Sequence, residues 1–166
     1  MLNRYAARSI VNNLIIAVLA YLLGFYFTSM FHTLTAEIGG MWSVISGVLV
    51  MENTAPKTLK SGQLRVIASF IGAFLSGLYL YLFDFSVLGF AVCIGLGSLI
   101  CHLFRIPSHI KATGVTIAVI MIISFAIKDS NPVLNAALRF GESIIGALVA
   151  VLVAYASAKI VGDEDV

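Results

Sequence analysis

Two stretches of this 166-residue chain carry the same polar pattern on an apolar background. Arg65-Val-Ile-Ala-Ser69-Phe-Ile71-Gly72-Ala73 recurs 74 residues later as Arg139-Phe-Gly-Glu-Ser143-Ile-Ile145-Gly146-Ala147, so R-x-x-x-S-x-I-G-A appears twice. On a helix Arg65, Ser69, Gly72 and Ser76 share one face, and Arg139, Ser143, Gly146 and Ala150 form the matching face. The chemistry this allows is electrostatic. A guanidinium at the mouth of such a face is a fixed cation for an anion to meet, and the stripe behind it lets helix backbones pack closely (Ser69, Gly72, Ser143 and Gly146). The bland alternative is an arginine that snorkels to lipid headgroups. Glu142, three residues after Arg139, is spaced for a local ion pair that would weaken the cation.

Other chemistries find no support. Paired carboxylates, a Ser/His pair in a motif and CxxC or HExxH spacings are all missing, so no enzyme, no metal and no cofactor is expected. Cys93 and Cys101, eight residues apart on one apolar segment, are too far apart for an intrahelical disulfide and read as packing residues. His32, His102 and His109 have no ligand spacing. The formal net charge is +2, and Lys and Arg are scattered singly without interleaved aromatics, which excludes nucleic acid as a partner.

The elements that must hold the two motifs are membrane helices. Hydrophobic residues make up 60% of the chain and charged ones 11%, with a mean hydropathy of +1.04. A soluble domain of this size has roughly a quarter of its residues charged. Charges divide the chain into six apolar segments: Ile10–Phe31, Leu34–Met51, Val66–Phe83, Phe85–Phe104, Ala112–Ile127 and Leu134–Ala158. Against a requirement of roughly 17–25 residues per crossing, the second is the doubtful one, since only Ile38 to Met51 is free of charge. The uncharged run Ser9–Phe31 is longer than a signal-peptide core of roughly 7–15 residues and reads as a retained first helix. The longest connection, Glu52 to Leu64, holds Asn53, Pro56 and Gly62 and reads as an irregular loop. The fold expected is an all-α integral membrane protein of about six transmembrane helices, a single domain over 1–166 with a short acidic cytoplasmic tail at 159–166.

With six crossings, Arg4, Arg8, Lys57, Lys60, Arg65, Arg105, Lys111 and Lys159 fall on one side and only Lys128 and Arg139 on the other. The positive-inside rule then puts both termini in the cytoplasm. It also leaves Arg139 on the side that should be poor in cations. The motif opens the third and the sixth segments, so the chain divides into halves of about 10–83 and 84–158. Three crossings per half turn the halves upside down relative to each other, an inverted repeat of the kind transporters use.

The order of motifs resembles a known family. Trp42-Ser-Val-Ile-Ser-Gly-Val-Leu-Val-Met-Glu52, then Thr58-x-Lys60-x-Gly62-x-x-Arg65, then Ile71-Gly72-Ala73 is similar to the fusaric acid resistance protein-like superfamily. That superfamily includes bacterial aromatic acid exporters and, more distantly, plant aluminium-activated malate channels. In the second half Ile110-Lys111-Ala112 and Arg139 leading into Ile145-Gly146-Ala147 agree, so the resemblance covers about residues 15–158. It implies a six-helix unit of the bacterial inner membrane that works in pairs and moves small organic or inorganic anions, aromatic and other weak acids among them. It carries Glu52, Lys60, Arg65, Lys111 and Arg139 over as candidates for the path. Asn12 and Asn13 rank below these, as interhelical hydrogen-bonding residues, and Trp42 reads as a packing or interfacial residue. The expected partners are the lipid bilayer, a small anionic substrate and a second copy of the chain. One unit with no cytoplasmic domain departs from the family pattern and makes a homodimer or higher homo-oligomer the natural completion. The alternative is a non-transporting scaffold or assembly subunit of a larger complex.

Overall fold

A computed structural model describes residues 4–127 and 131–161 of the chain. Lys128 and the acidic stretch with Asp163, Glu164 and Asp165 lie outside the described residues. Among the described residues all regular structure is helical: α1 Arg4–Ser29, α2 Ala36–Val50, α3 Ala55–Leu82, α4 Val87–Leu103, α5 Ile110–Ala126 and α6 Pro132–Val161. Single 3-10 turns at Thr33–Thr35 and Pro107–His109 lead into α2 and α5. Among the described residues five stretches are long and apolar enough to cross a bilayer: Ala7–Ser29, Thr33–Val50, Ala55–Leu82, Pro107–Ala126 and Pro132–Ile160. Large apolar side chains such as Leu14, Val18, Phe74, Leu88 and Leu152 are exposed, while Thr28, Ser43, Ser69 and Thr113 are buried. This is an all-α integral membrane protein, with its apolar surface turned toward lipid.

Two boundaries differ from expectation. The second segment is continuous helix over Thr33–Val50, 18 residues once the 3-10 turn before α2 is included, whereas the fourth segment is helical for only the 17 residues of α4. At 1.5 Å per residue α4 rises about 26 Å, just under a hydrocarbon thickness of about 30 Å. Glu37, which breaks the apolar run of the second segment, sits exposed in the first turn of α2, where the positive end of the helix dipole favours a carboxylate.

The second difference is larger. The expected irregular loop of 52–64 is irregular only around 51–54, and α3 starts at Ala55. Pro56 lies in the first turn, where its missing N–H has no intrahelical partner to lose. Thr58 ties that turn down, accepting from the Glu52 N–H at 3.1 Å and donating to the Thr54 carbonyl at 3.0 Å. Gly62 is not a break but a packing position, where an added Cβ would stand 3.4 Å from Val50 and Val151. The start of α6 obeys the same rules: Pro132 opens it, and the Asn131 Oδ1 caps it by accepting from Val133 N at 2.9 Å and Leu134 N at 3.2 Å.

The chain forms two compact units, which do not coincide with the halves about 10–83 and 84–158. Unit 1 is Met1–Gln63 with Glu142–Val166, and unit 2 is Leu64–Gly141. Most of α6 therefore belongs with α1 and α2, and most of α3 with α4 and α5. In unit 1 a Cβ on Gly146 would collide with the Ser43 carbonyl and lie 2.8 Å from the Gly47 nitrogen. In unit 2 a Cβ on Gly72 would lie 3.0 Å from the Thr113 carbonyl and 2.9 Å from the Thr116 Cβ. Ser43-x-x-Ser46 and Thr113-x-x-Thr116 thus present the same surface to the two glycines of the repeated motif.

Gly146→Ala should lower the thermal unfolding midpoint in detergent, with an overpacking cost of about 1–3 kcal/mol. Gly95→Ala on α4, where a Cβ meets nothing within 4 Å, should be neutral or gain up to about 1 kcal/mol of helix propensity. Equal midpoints for the two variants would contradict the close approach of α2 and α6.

Candidate functional site

Unit 2 holds both arginines of the repeated motif. Arg65 lies ten residues after the start of α3 and Arg139 seven after the start of α6, about 15 Å and about 10 Å along their helices. The sequence places each at a helix mouth. The structure buries both, and for Arg65 the helix starts at Ala55, eleven residues before the apolar segment at Val66. Arg65 is 3% exposed and Arg139 0% exposed. Burial at that level overturns the snorkelling reading, which needs a guanidinium free to reach water.

Two side chains of the polar interior of unit 2, Thr113 and Asn135, bond between helices. The Thr113 hydroxyl on α5 donates to the Ala68 carbonyl of α3 at 3.2 Å and lies 3.1 Å from the Cys101 sulfur of α4. Asn135 on α6 donates to the Ile120 carbonyl of α5 at 3.2 Å and to Ser124 at 2.9 Å. In lipid such bonds join helices that hydrophobicity alone would not draw together. Ser69 and Ser76 on the Arg65 face of α3 are fully buried. A groove of about 490 Å3 on the same unit, between Phe70, Phe74, Gly77, Tyr81, Ala136 and Phe140, is apolar and offers nothing to a charge.

Unit 1 carries a second polar interior. The Trp42 indole N–H on α2 donates to the Ser143 hydroxyl of α6 at 3.0 Å, and Ser46 donates to the same oxygen at 3.3 Å. One residue earlier on α6, the fully buried Glu142 accepts a 2.5 Å hydrogen bond from the Thr28 hydroxyl of α1. Gly39 of α2 packs on this pair, and a Cβ there would stand 2.7 Å from the Glu142 Oε1.

The remaining candidates lie at the surface. Glu52 and Lys60 in unit 1 are exposed, as is Lys111 in the first turn of α5 in unit 2. Glu52 lines a small polar pocket of about 90 Å3 with Arg8, Asn12, Asn13 and Asn53. Arg8 also donates to Ser157 of α6 at 2.9 Å. Arg65 and Arg139 are therefore both buried and both belong to unit 2, whereas Glu52, Lys60 and Lys111 are exposed.

The sequence pattern of the fusaric acid resistance protein-like family matches residues 14–153. The chain belongs to that family. No curated protein and no solved structure matches it. The matched range takes in part or all of each of the six helices, both arginines and both glycines of the repeated motif. Membership in the fusaric acid resistance protein-like family, with the apolar helices, supports a role in membrane transport.

Sequence reasoning treated Glu142 only as a counter-charge for Arg139. The signal for more was present: an ionisable residue inside an apolar stretch is by default a candidate functional group. Its partner Thr28, 114 positions away, had no mark in the sequence. Trp42 is the packing residue of the two alternatives, buried in the core, and its indole N–H is in addition a donor there. Ser143→Ala should leave that buried N–H without its acceptor and cost about 1–3 kcal/mol. Thermal unfolding followed by the emission of Trp42, the single tryptophan, measures this directly. A midpoint equal to that of the unaltered chain would rule the bond out as a stabilising contact.

Proposed function

We propose that this chain is a transporter or channel subunit for small organic or inorganic anions, weak organic acids included. The observation that carries the reading is the burial of two arginines, Arg65 and Arg139, inside apolar helices of one unit. A buried cation in a membrane costs at least about 2.5–3.5 kcal/mol, and such residues mark ion and substrate routes. A guanidinium held there replaces part of an anion's hydration and selects for negative charge.

The helix starts add to this. Lys57 and Lys60 stand in the opening turns of α3, and Lys111 in the opening turn of α5. A cation at a helix N-terminus opposes the dipole by about 0.3–1 kcal/mol, so stability does not explain the placement. Lysines beside exposed N–H groups make these helix ends positive twice over, which concentrates anions near them. Lys60 and Lys111 accordingly attract the anion, Arg65 and Arg139 pass it, and Glu52 lies at the rim of the polar pocket.

The two halves are read as an inverted repeat. Gly72 on Thr113 and Gly146 on Ser43 are equivalent packing contacts in the two units, which supports a duplicated three-helix design. The working form in this reading is a homodimer, the usual closed assembly of identical subunits. Its place is the bacterial inner membrane with both termini in the cytoplasm. That orientation follows from the lysines and arginines left outside the helices' interior, among them Arg105 and Lys159.

Arg65→Ala and Arg139→Ala, reconstituted in liposomes at equal protein levels, should each cut anion flux at least about tenfold or lower anion-over-cation selectivity. The flux panel comprises inorganic anions, dicarboxylates and aromatic acids. Unchanged flux and selectivity in both variants would remove the arginines from the path. A folded, unaltered protein that passes no anion under any gradient would favour the scaffold alternative.

A further inference from the structure

The repeated motif is not identical in its two copies at the position four residues before its glycine. In α3 that position is Ala68, and in α6 it is Glu142. Both residues are fully buried. Each is the site of a hydroxyl bond from a neighbouring helix, but with different acceptors. Thr113 donates to the backbone carbonyl of Ala68, which cannot titrate, whereas Thr28 donates to the carboxyl oxygen of Glu142, which can. One half of the duplicated design therefore carries a titratable group in a place where the other half meets the same need with backbone alone.

We infer that Glu142 is a proton-binding site, held by Thr28 against Gly39, and that its protonation couples anion movement to the proton gradient. The transport part rests on the anion reading above; the proton binding does not. A carboxylate inside the bilayer is retained at a cost and is a recurrent element of proton relays. The step is simple in balance: one proton from water joins a carboxylate oxygen of Glu142, and the group passes from one negative charge to none. The Thr28 hydroxyl, both donor and acceptor, can bond either form. Gly39 seals the group on the side of α2, so exchange with water belongs to a different arrangement of the helices, as alternation between two states provides.

Groups from two other helices pack on Glu142. From α1 the facing polar group is the Thr28 hydroxyl, and from α2 it is the Gly39 backbone, with Glu37 exposed at the start of that helix. His32, one turn beyond Thr28, is engaged through Nδ1 with the Thr35 hydroxyl at 3.1 Å. On α6 itself Arg139, three residues earlier, is a permanent cation. His32 is thus the competing titratable group, and a variant separates it.

The protein contains its own reporter. Trp42, the single tryptophan, donates to Ser143, the residue next to Glu142. In liposomes of the full chain, Trp42 emission should follow a one-proton sigmoid against pH. Glu142→Gln should abolish it, His32→Gln should leave it, and Thr28→Val should move its midpoint by about 0.7 units, the equivalent of one hydrogen bond. A sigmoid that survives in Glu142→Gln, or a flat response in the unaltered chain, overturns the proposal. Should Glu142→Gln not fold, the infrared carboxyl band of the unaltered chain and of Thr28→Val decides: a band that appears on acidification and shifts in Thr28→Val supports it, and an unshifted band refutes it. In the same liposomes an imposed proton gradient should drive uphill anion accumulation, and Glu142→Gln should lower the ratio of proton-driven to downhill movement at least tenfold. Anion movement that ignores the proton gradient defeats the coupling alone. No anion movement at all defeats the transport reading and leaves the fluorescence to decide on the proton.

Discussion

The Ser43 carbonyl fills the space that a side chain on Gly146 would need, and the polar interior of unit 1 follows from that contact. With the backbones of α2 and α6 this close, short side chains reach across. Ser46 meets Ser143, and the Trp42 indole reaches the same hydroxyl without leaving its helix face. One turn away, the approach leaves no room for a side chain at Gly39, so Thr28 of α1 can touch Glu142 over it. A larger residue at position 146 would separate the helices and break each of these bonds together. In lipid that loss has no remedy, because no water waits to take over the freed groups.

Unit 2 solves the same problem with different chemistry. Gly72 sits on the Thr113 carbonyl, and the Thr113 side chain then bonds back to the Ala68 carbonyl on the approaching helix. The hydroxyl donates to main chain and meets only the Cys101 thiol among side chains, so the crossing is fixed without a carboxylate. Asn135 acts likewise near the start of α6, spending its amide on the Ile120 carbonyl and Ser124 of α5. The outcome is a unit whose hydrogen-bonded joints are neutral while its two arginines supply the charge.

Much of the fold was legible in the sequence, and the places where it was not have identifiable causes. Six helices follow from apolar length, and the small residues of the repeated motif follow from their spacing. The start of α3 was misread because Pro56 and Gly62 normally punctuate loops. Here Pro56 occupies the one turn that tolerates it, and Gly62 serves packing against Val50 and Val151. Moving that boundary also moved Arg65 from a loop end to the helix interior. The site was harder to read than the fold for a related reason. Burial of an arginine depends on where its helix begins, and the partner of Glu142 lies more than a hundred residues away on another helix. Periodicity carries no information about either.

The motif R-x-x-x-S-x-I-G-A itself makes physical sense once the crossings are known. The glycine marks the point of closest backbone approach, which is the place least open to lipid. The serine stands one turn before it and the arginine two turns before it, so the costliest group is placed on the face already committed to helix packing. A duplicated helix that keeps this order keeps its charge on the face turned away from hydrocarbon. The copies differ at four of their nine positions, and only Ala68 against Glu142 exchanges an apolar residue for an ionisable one. Two copies under the same packing constraint differ by one ionisable group, and that group sits where a neighbouring hydroxyl is already in place to receive it.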